Sequence, residues 1–161
     1  MISVALANDI LKLITAKSKN LTTTSSGLCF LGFSAGDPGE TGANFAEPNP
    51  STYPSYARIQ LNVNTAQEWT DKWGEVENKS VALLEEITSS ECLEESGWPT
   101  FTHFGIFNAK EPKSGTLLAW DLLTDPDGEP DEDGQYPAKT LTIRKGEVAV
   151  FRTDSLKLTF K

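Results

Sequence analysis

Apolar residues near the N-terminus recur at the spacing of an α-helix, and this periodicity predicts a helix over residues 2–17. The stripe consists of Ile2, Leu6, Ile10, Leu13 and Ile14. Val4 and Leu11 place further apolar side chains on the opposite side. A helix that is apolar on two sides is usually covered on two sides. It therefore either packs inside its own domain or lies between this domain and a neighbouring subunit.

From residue 27 onward the pattern changes to the period of two that is typical of β-strands. Residues 27–34 are apolar on both faces, which predicts a deeply buried strand, and residues 100–107 give the strongest strand pattern. The other segments with a strand pattern are 56–63, 81–87, 116–123, 139–143, 148–151 and 156–160. About eight short strands predict a mainly β fold, an antiparallel β-sandwich of the jelly-roll type with one N-terminal helix.

The segment 56–63 alternates cleanly, which predicts a half-buried strand. Its apolar set is Ala57, Ile59, Leu61 and Val63, and its polar set is Tyr56, Arg58, Gln60 and Asn62.

Residues 65–74 allow two interpretations. Thr65 and Glu68 form a capping-box pattern and Gly74 offers a stop, which together predict a short helix with Trp69 and Trp73 on one face. A twisted strand through the same residues is the alternative. Because these two tryptophans lie among charged residues, we expect at least one of them near the surface as an interface anchor.

Two loops stand out. Residues 35–55 are rich in glycine and proline and too long for a hairpin turn, and long ordered loops often bind a partner. The second loop, 125–134, is acidic, but its spacing does not match an EF-hand, so solvated carboxylates are expected there, with a bound cation such as calcium as the alternative. The acidic residues are Asp125, Asp127, Glu129, Asp131, Glu132 and Asp133.

Length and composition predict one domain over residues 1–161, with an N-terminal helix or arm at 1–20 and a sandwich at 27–161. The net charge of −9 disfavours nucleic acid as a partner. The chain has no run of eighteen apolar residues, and the pattern of a signal peptide is missing, so we expect assembly in the cytosol without a membrane. Cys29 and Cys92 are expected to be buried thiols, with a disulfide left open.

No constellation in the sequence indicates catalysis. His103 is the only histidine, and the serines lack the glycine pattern of a nucleophile elbow. Glu85 and Glu86 are adjacent on a strand and therefore point to opposite faces. Cys29 and His103 form a nucleophilic pair only if the fold brings them together. A non-enzymatic protein without a cofactor is therefore expected.

Motifs along the chain support a resemblance. The loop Asp37-Pro38-Gly39-Glu40-Thr41-Gly42 is followed by Tyr56-Ala57-Arg58, by Thr102-His103-Phe104-Gly105-Ile106-Phe107 and by Leu117-Leu118-Ala119-Trp120. This order resembles a family of short tailed-phage proteins with an "ADPGE.G" loop, a "YARV" strand and a "THFGI" strand. The family is commonly labelled tail fibre protein, and some members look like capsid cement proteins. The resemblance implies structural roles for Asp37, Pro38, Gly39, Tyr56, Arg58, His103 and Gly105.

The resemblance implies a virion protein on the outer surface of the particle, assembled in the host cytoplasm. We expect a capsid cement or decoration protein that bridges subunits of a major capsid protein, and decoration proteins of this kind are commonly trimers. The alternative is a tail or head fibre protein that binds a host receptor. The residues expected to make assembly contacts are Ile2, Leu6, Ile10, Leu13, Ile14, Trp69 and Trp73. A small enzyme using Cys29 or His103 is a third hypothesis.

Overall fold

A computed structural model of the chain describes residues 3–14, 28–64, 69–125, 127–132, 136–153 and 155–159. Within these residues, one helix, α1 (Val4–Ile14), precedes ten short strands, and every strand pairing is antiparallel. The strands are β1 (Phe30–Ser34), β2 (Ile59–Gln60), β3 (Asn62–Asn64), β4 (Trp69–Asp71), β5 (Ser80–Ala82), β6 (Ile87–Thr88), β7 (His103–Phe107), β8 (Leu117–Leu122), β9 (Val150–Phe151) and β10 (Lys157–Thr159). The predicted mainly β fold with one N-terminal helix is confirmed.

The main sheet has four strands in the order β2-β1-β7-β8. β1 and β7 pair over their full length, from Phe30 opposite Phe107 to Ser34 opposite His103. β7 pairs with β8 through a register shift between Ile106 and Phe107, so one extra residue of β8 bulges from the ladder. Three two-stranded pairs complete the fold: β3 with β4, β5 with β10, and β6 with β9.

One face of the main sheet forms the core. Leu31 and Phe33 of β1 lie beside Phe104 and Ile106 of β7, and all four are at most 1% exposed. Phe33 stacks on Phe151 of β9 with ring centroids 5.2 Å apart, which ties the sheet to the β6–β9 pair. The apolar runs predicted as strands at 27–34 and 100–107 therefore form the two central strands.

The helix buries the side chains of Ala7 and Leu11. Leu11 is 1% exposed and Ala7 is fully buried, whereas Ile10 is only partly buried. Leu11, which lies opposite the main stripe, is therefore covered within this chain, and α1 contacts β5. The side-chain amide oxygen of Asn8 also accepts a hydrogen bond from the backbone N–H of Lys79 at 2.8 Å. Ile2 and the side chains of Leu6, Leu13 and Ile14 lie outside the described residues.

The strand interpretation holds for the described part of residues 65–74. Trp69 begins β4, which pairs with β3, and residues 65–68 lie outside the described range. Trp73 is 1% exposed and belongs to the core, so its side chain is not available as the surface contact that the sequence suggested. The side chain of Trp69 lies outside the described residues.

The C-terminal third has fewer regular strands than predicted. Residues 139–143 make one isolated bridge, from Leu141 to Phe101, instead of a strand. In the acidic loop, Asp127, Glu129, Asp131 and Glu132 are exposed. Among the described residues, no three His, Cys, Asp or Glu side chains meet as metal ligands would. In the described part of the chain, no helix is long and apolar enough to cross a membrane.

Candidate functional site

A carboxylate is buried under the long loop at 35–55. Glu47 and Arg58 are each 5% exposed, and they form a bidentate ion pair. Both joining distances, Arg58 Nε to Glu47 Oε1 and Arg58 Nη2 to Glu47 Oε2, are 2.8 Å. Two parallel charge-assisted hydrogen bonds of this kind fix the relative orientation of both side chains. The pair thereby fixes the loop to the segment that enters β2.

The same two side chains hold a third segment. The backbone N–H of Lys113 donates to Glu47 Oε2 at 2.8 Å. Arg58 Nη1 donates to the carbonyl oxygens of Ala109 and Ser114, at 2.7 and 2.9 Å. The loop at 35–55, the segment at 56–58 and the turn at 109–114 therefore meet at one buried centre, which we call the loop clamp: Glu47, Tyr56 and Arg58.

Tyr56 links the loop clamp to the main sheet. Its hydroxyl donates to Glu47 Oε1 at 3.2 Å and accepts from the backbone N–H of Phe33 at 2.9 Å. Burial, followed by the negative charge of Glu47, raises the pKa of Tyr56 well above its ordinary value. The hydroxyl therefore stays protonated and remains a hydrogen-bond donor to the carboxylate.

The loop clamp reverses the predicted alternation at its start. Tyr56 and Arg58 are buried and Ala57 is exposed, so the prediction of an outward polar set is wrong at these positions. The reason is that this side of the sheet is covered by the loop and carries a paired charge. The Arg58 guanidinium also lies 3.5 Å from the ring centroid of Phe107, a cation–π contact.

Two glycines make room for the loop on the sheet. Gly32 of β1 and Gly105 of β7 lie directly opposite each other. A Cβ on Gly32 would lie 2.8 Å from Glu47 Oε1, and one on Gly105 would lie 2.7 Å from the Phe45 ring. Because such contacts are shorter than packing permits, these positions require glycine while the loop lies on this face. This is a physical role for Gly105 of the "THFGI"-like motif.

The loop also has internal turns that fix its course. The carboxylate of Asp37 accepts the backbone N–H of Gly39 at 2.8 Å, and Gly39 has a φ of 69°. Pro38 is buried. The hydroxyl of Ser34 accepts the N–H of Ala46 at 2.7 Å, which joins the end of β1 to the returning loop. The loop thus presents a fixed outer surface with Glu40, Thr41, Ala43 and Asn44 exposed.

A second polar cluster anchors the end of the loop. The Glu94 carboxylate accepts the backbone N–H of Ser55 at 2.9 Å and the indole N–H of Trp98 at 2.8 Å, and it also accepts the Ser55 hydroxyl. Desolvation raises the pKa of Glu94, but these hydrogen bonds and one from its own backbone N–H outweigh it and lower the pKa to about 2. Glu94 is therefore a poor general base and acts as a fixed hydrogen-bond acceptor.

The candidate nucleophile pair does not form. His103 lies at the end of β7 opposite Ser34, whereas Cys29 precedes the other end of β1. Five residues of strand separate these ends, which is about 16 Å. His103 Nδ1 instead shares a hydrogen bond of 2.8 Å with the hydroxyl of Thr102. Cys29 and Cys92 are both buried thiols that form no disulfide with each other, and burial raises the pKa of the Cys92 thiol.

Sequence patterns pointed to the loop and to Tyr56 and Arg58, but they gave no role to Glu47, Ser55 or Glu94. The available signal was a glutamate in a proline-rich loop, eleven residues before an arginine in a strand. Only the fold shows that the two are paired.

The geometry can now be set beside known proteins. A model of the family described as podophage GP4 fiber I protein gp80 matches residues 1–159. The chain belongs to this family. No curated protein matches it. Membership confirms the resemblance to a tail-fibre-like family of phage virion proteins and makes the chain a phage structural protein. In this chain the charges of Glu47 and Arg58 neutralise each other inside the fold, so the loop clamp holds segments of the fold together.

Proposed function

We propose that this chain is a non-enzymatic fibre subunit on the outer surface of a tailed-phage particle, and that the loop at 35–55 is its contact surface. The observation that carries the proposal is the family match over residues 1–159. The loop clamp supports the choice of surface, since a loop held in place before binding loses little conformational entropy when it binds.

The fibre role is favoured over the capsid cement role that the sequence suggested first. The family description names a fibre, whereas the cement role rests on the looser resemblance. The two roles imply different partners: a fibre subunit binds a host receptor, and a cement protein binds the major capsid protein. A homotrimer is part of the proposal in both cases.

A structural role is also what the polar groups support. The Glu47 carboxylate is neutralised by Arg58 and closed from solvent, so it cannot reach a substrate. Glu94 has a pKa of about 2 and cannot take up a proton near neutral pH. Cys29 and His103 lie at opposite ends of the β1–β7 pair.

Copy number tests the proposal directly. Quantitative mass spectrometry of purified particles, with the major capsid protein as the internal reference, should give a handful of copies per particle. Hundreds of copies per particle would contradict the fibre role and support the cement role.

Competition for host cells tests the contact surface. Purified protein should slow adsorption of the phage to its host, and Glu40→Lys in the exposed loop should weaken this competition. Glu132→Lys, in the exposed acidic loop, is the matched control with the same charge change. Equal competition by both variants would exclude the loop as the contact surface, and native mass spectrometry of the same samples would give the oligomeric state.

A further inference from the structure

In the hairpin at residues 139–152, each arm forms its main-chain hydrogen bonds with a segment outside the hairpin. Glu147 N–H donates to the carbonyl of Arg144 at 3.0 Å, which closes a tight turn between the arms 139–143 and 148–152. The first arm bonds to Phe101, since Leu141 both donates to and accepts from it, at 2.9 and 2.8 Å. The second arm forms β9 and pairs with β6. Each arm therefore uses one edge for a neighbour outside the hairpin.

On the opposite edge of each arm, the main-chain N–H and C=O groups point away from these neighbours. In a strand, the N–H and C=O of successive residues point to alternate sides. Because Leu141 points toward Phe101, the main-chain groups of Thr140 point the other way. Ala149 bonds to Ser89 through both its N–H and its C=O, so the main-chain groups of Val150 also point away from β6. Among the described residues, Thr140 has no main-chain hydrogen bond.

A groove of about 490 Å³ is lined by residues of both arms. Thr140 and Leu141 of the first arm and Val150 of the second belong to this lining. The buried apolar residues of the lining, which we call its floor, are Leu123, Phe151 and Leu156. Val150 is 48% exposed, a large value for a valine beside an apolar floor. The volume falls within the range of ligand-binding clefts.

The charges of the groove differ from those of the chain. The chain carries a net charge of −9, whereas the groove is lined by the cations Lys139 and Arg152 and by a single described carboxylate, Asp127. Lys139 is paired with Asp125, with Nζ and Oδ1 3.0 Å apart. In the described part of the chain, Arg152 has no ion-pair partner. A cation without a partner at the rim of an apolar groove favours an acidic ligand.

We propose that this groove binds an extended segment of another protein, which enters as a β-strand between Thr140 and Val150 and places a carboxylate against Arg152. Main-chain groups facing in from both sides fit the backbone of a strand, and the apolar floor fits every second side chain. This inference goes beyond the proposed fibre role, because it concerns a surface other than the loop at 35–55.

Binding of a synthetic peptide tests the proposal. The probe is a short peptide of alternating valine and threonine with one central glutamate, and its counterpart carries lysine instead. The glutamate peptide should bind and should slow hydrogen exchange at the Thr140 and Val150 amides. N-methylation of alternate residues of the peptide should abolish binding, because it removes the donors that pair with the groove.

Charge reversal provides the matched control. Arg152→Glu should weaken binding of the glutamate peptide by about tenfold and should strengthen binding of the lysine peptide. Arg144→Glu makes the same charge change at an exposed position in the turn of the same hairpin and should leave both affinities unchanged. Equal effects of the two variants, or no protection of the two amides, would overturn the proposal. Protection that instead rises with protein concentration alone would identify a second copy as the occupant and would also overturn it.

Discussion

Glu47 and Arg58 form a bidentate ion pair that is closed from solvent between the long loop and the main sheet. Each side chain also bonds to the backbone of the turn at 109–114. Three segments that are distant in sequence are thereby held by two side chains. A buried ion pair of this kind adds little to stability relative to an apolar pair, but loss of one partner leaves a buried charge.

Glu47→Gln should therefore be strongly destabilising. Arg58 would keep its burial but lose its opposite charge, and we expect the free energy of unfolding to fall by about 3–5 kcal/mol. Urea unfolding measures this change. Glu95→Gln is the control, because Glu95 and Lys145 form an exposed pair worth about 0–1 kcal/mol.

A double variant separates charge burial from packing. If the cost of Glu47→Gln arises from the unpaired guanidinium, then adding Arg58→Met should recover part of the lost stability. A double variant that is less stable than Glu47→Gln alone would show that the hydrogen bonds of Arg58 to the turn at 109–114 dominate instead.

Gly105→Ala should detach the loop from the sheet. The added Cβ would lie 2.6 Å from Leu117 and 2.7 Å from Phe45, and Gly105 has no positive φ, so the effect comes from space alone. Overpacking of this kind costs about 1–3 kcal/mol. Limited proteolysis should cut residues 35–55 faster in the variant than in the wild type.

Gly36→Ala is the matched control within the same loop. A Cβ at Gly36 meets only Ala46, at 3.7 Å, which is an ordinary contact. We expect no loss of stability, since an alanine here also restricts the unfolded chain. Equal cleavage of the loop in both variants would show that Gly105 does not set its position.

The central strands could be predicted from sequence because their pattern is local. Residues 27–34 and 100–107 are apolar on both faces, and a strand buried on both faces is the simplest structure for such a run. The loop clamp could not be predicted in the same way. Charged side chains are normally exposed, so the alternation of 56–63 predicts Arg58 on the polar face, and only the covering loop makes its burial possible.

For the N-terminal helix, the sequence does not determine which side faces the core. Its apolar residues lie on two sides, and periodicity alone does not show which side meets the core. In the fold, α1 contacts β5, and Ala7 and Leu11 are buried, whereas Ile10 is only partly buried. The assembly role of Ile2, Leu6, Ile10, Leu13 and Ile14 stays a prediction.

Leu11→Ala should consequently destabilise the fold, because it removes a side chain that is 1% exposed. Core truncations of this type cost about 2–5 kcal/mol. Lys12→Ala, on the next residue, should change stability by less than about 0.5 kcal/mol. Thermal unfolding of both variants checks this. Deletion of residues 1–14 should therefore reduce folding itself, whereas a fully stable truncated domain would restore the view of the helix as an assembly arm.

Because Glu94 anchors the loop as a carboxylate, the free energy of unfolding should fall when low pH protonates it. Its pKa is about 2 in the folded chain, below the ordinary value of 4.5, so the folded state holds the proton less strongly than the unfolded state. The stabilisation is complete above about pH 4.5 and is lost as the pH falls through about 2.

Glu94→Gln removes the charge, so the wild type should be more stable than this variant at neutral pH. The difference should shrink at about pH 3, be small at about pH 2 and vanish only below that pH. Urea unfolding at these three values measures it, with Glu95→Gln as the exposed control. A difference that is the same at every pH would show that Glu94 acts through shape and hydrogen bonding, and that its charge contributes nothing to holding Ser55.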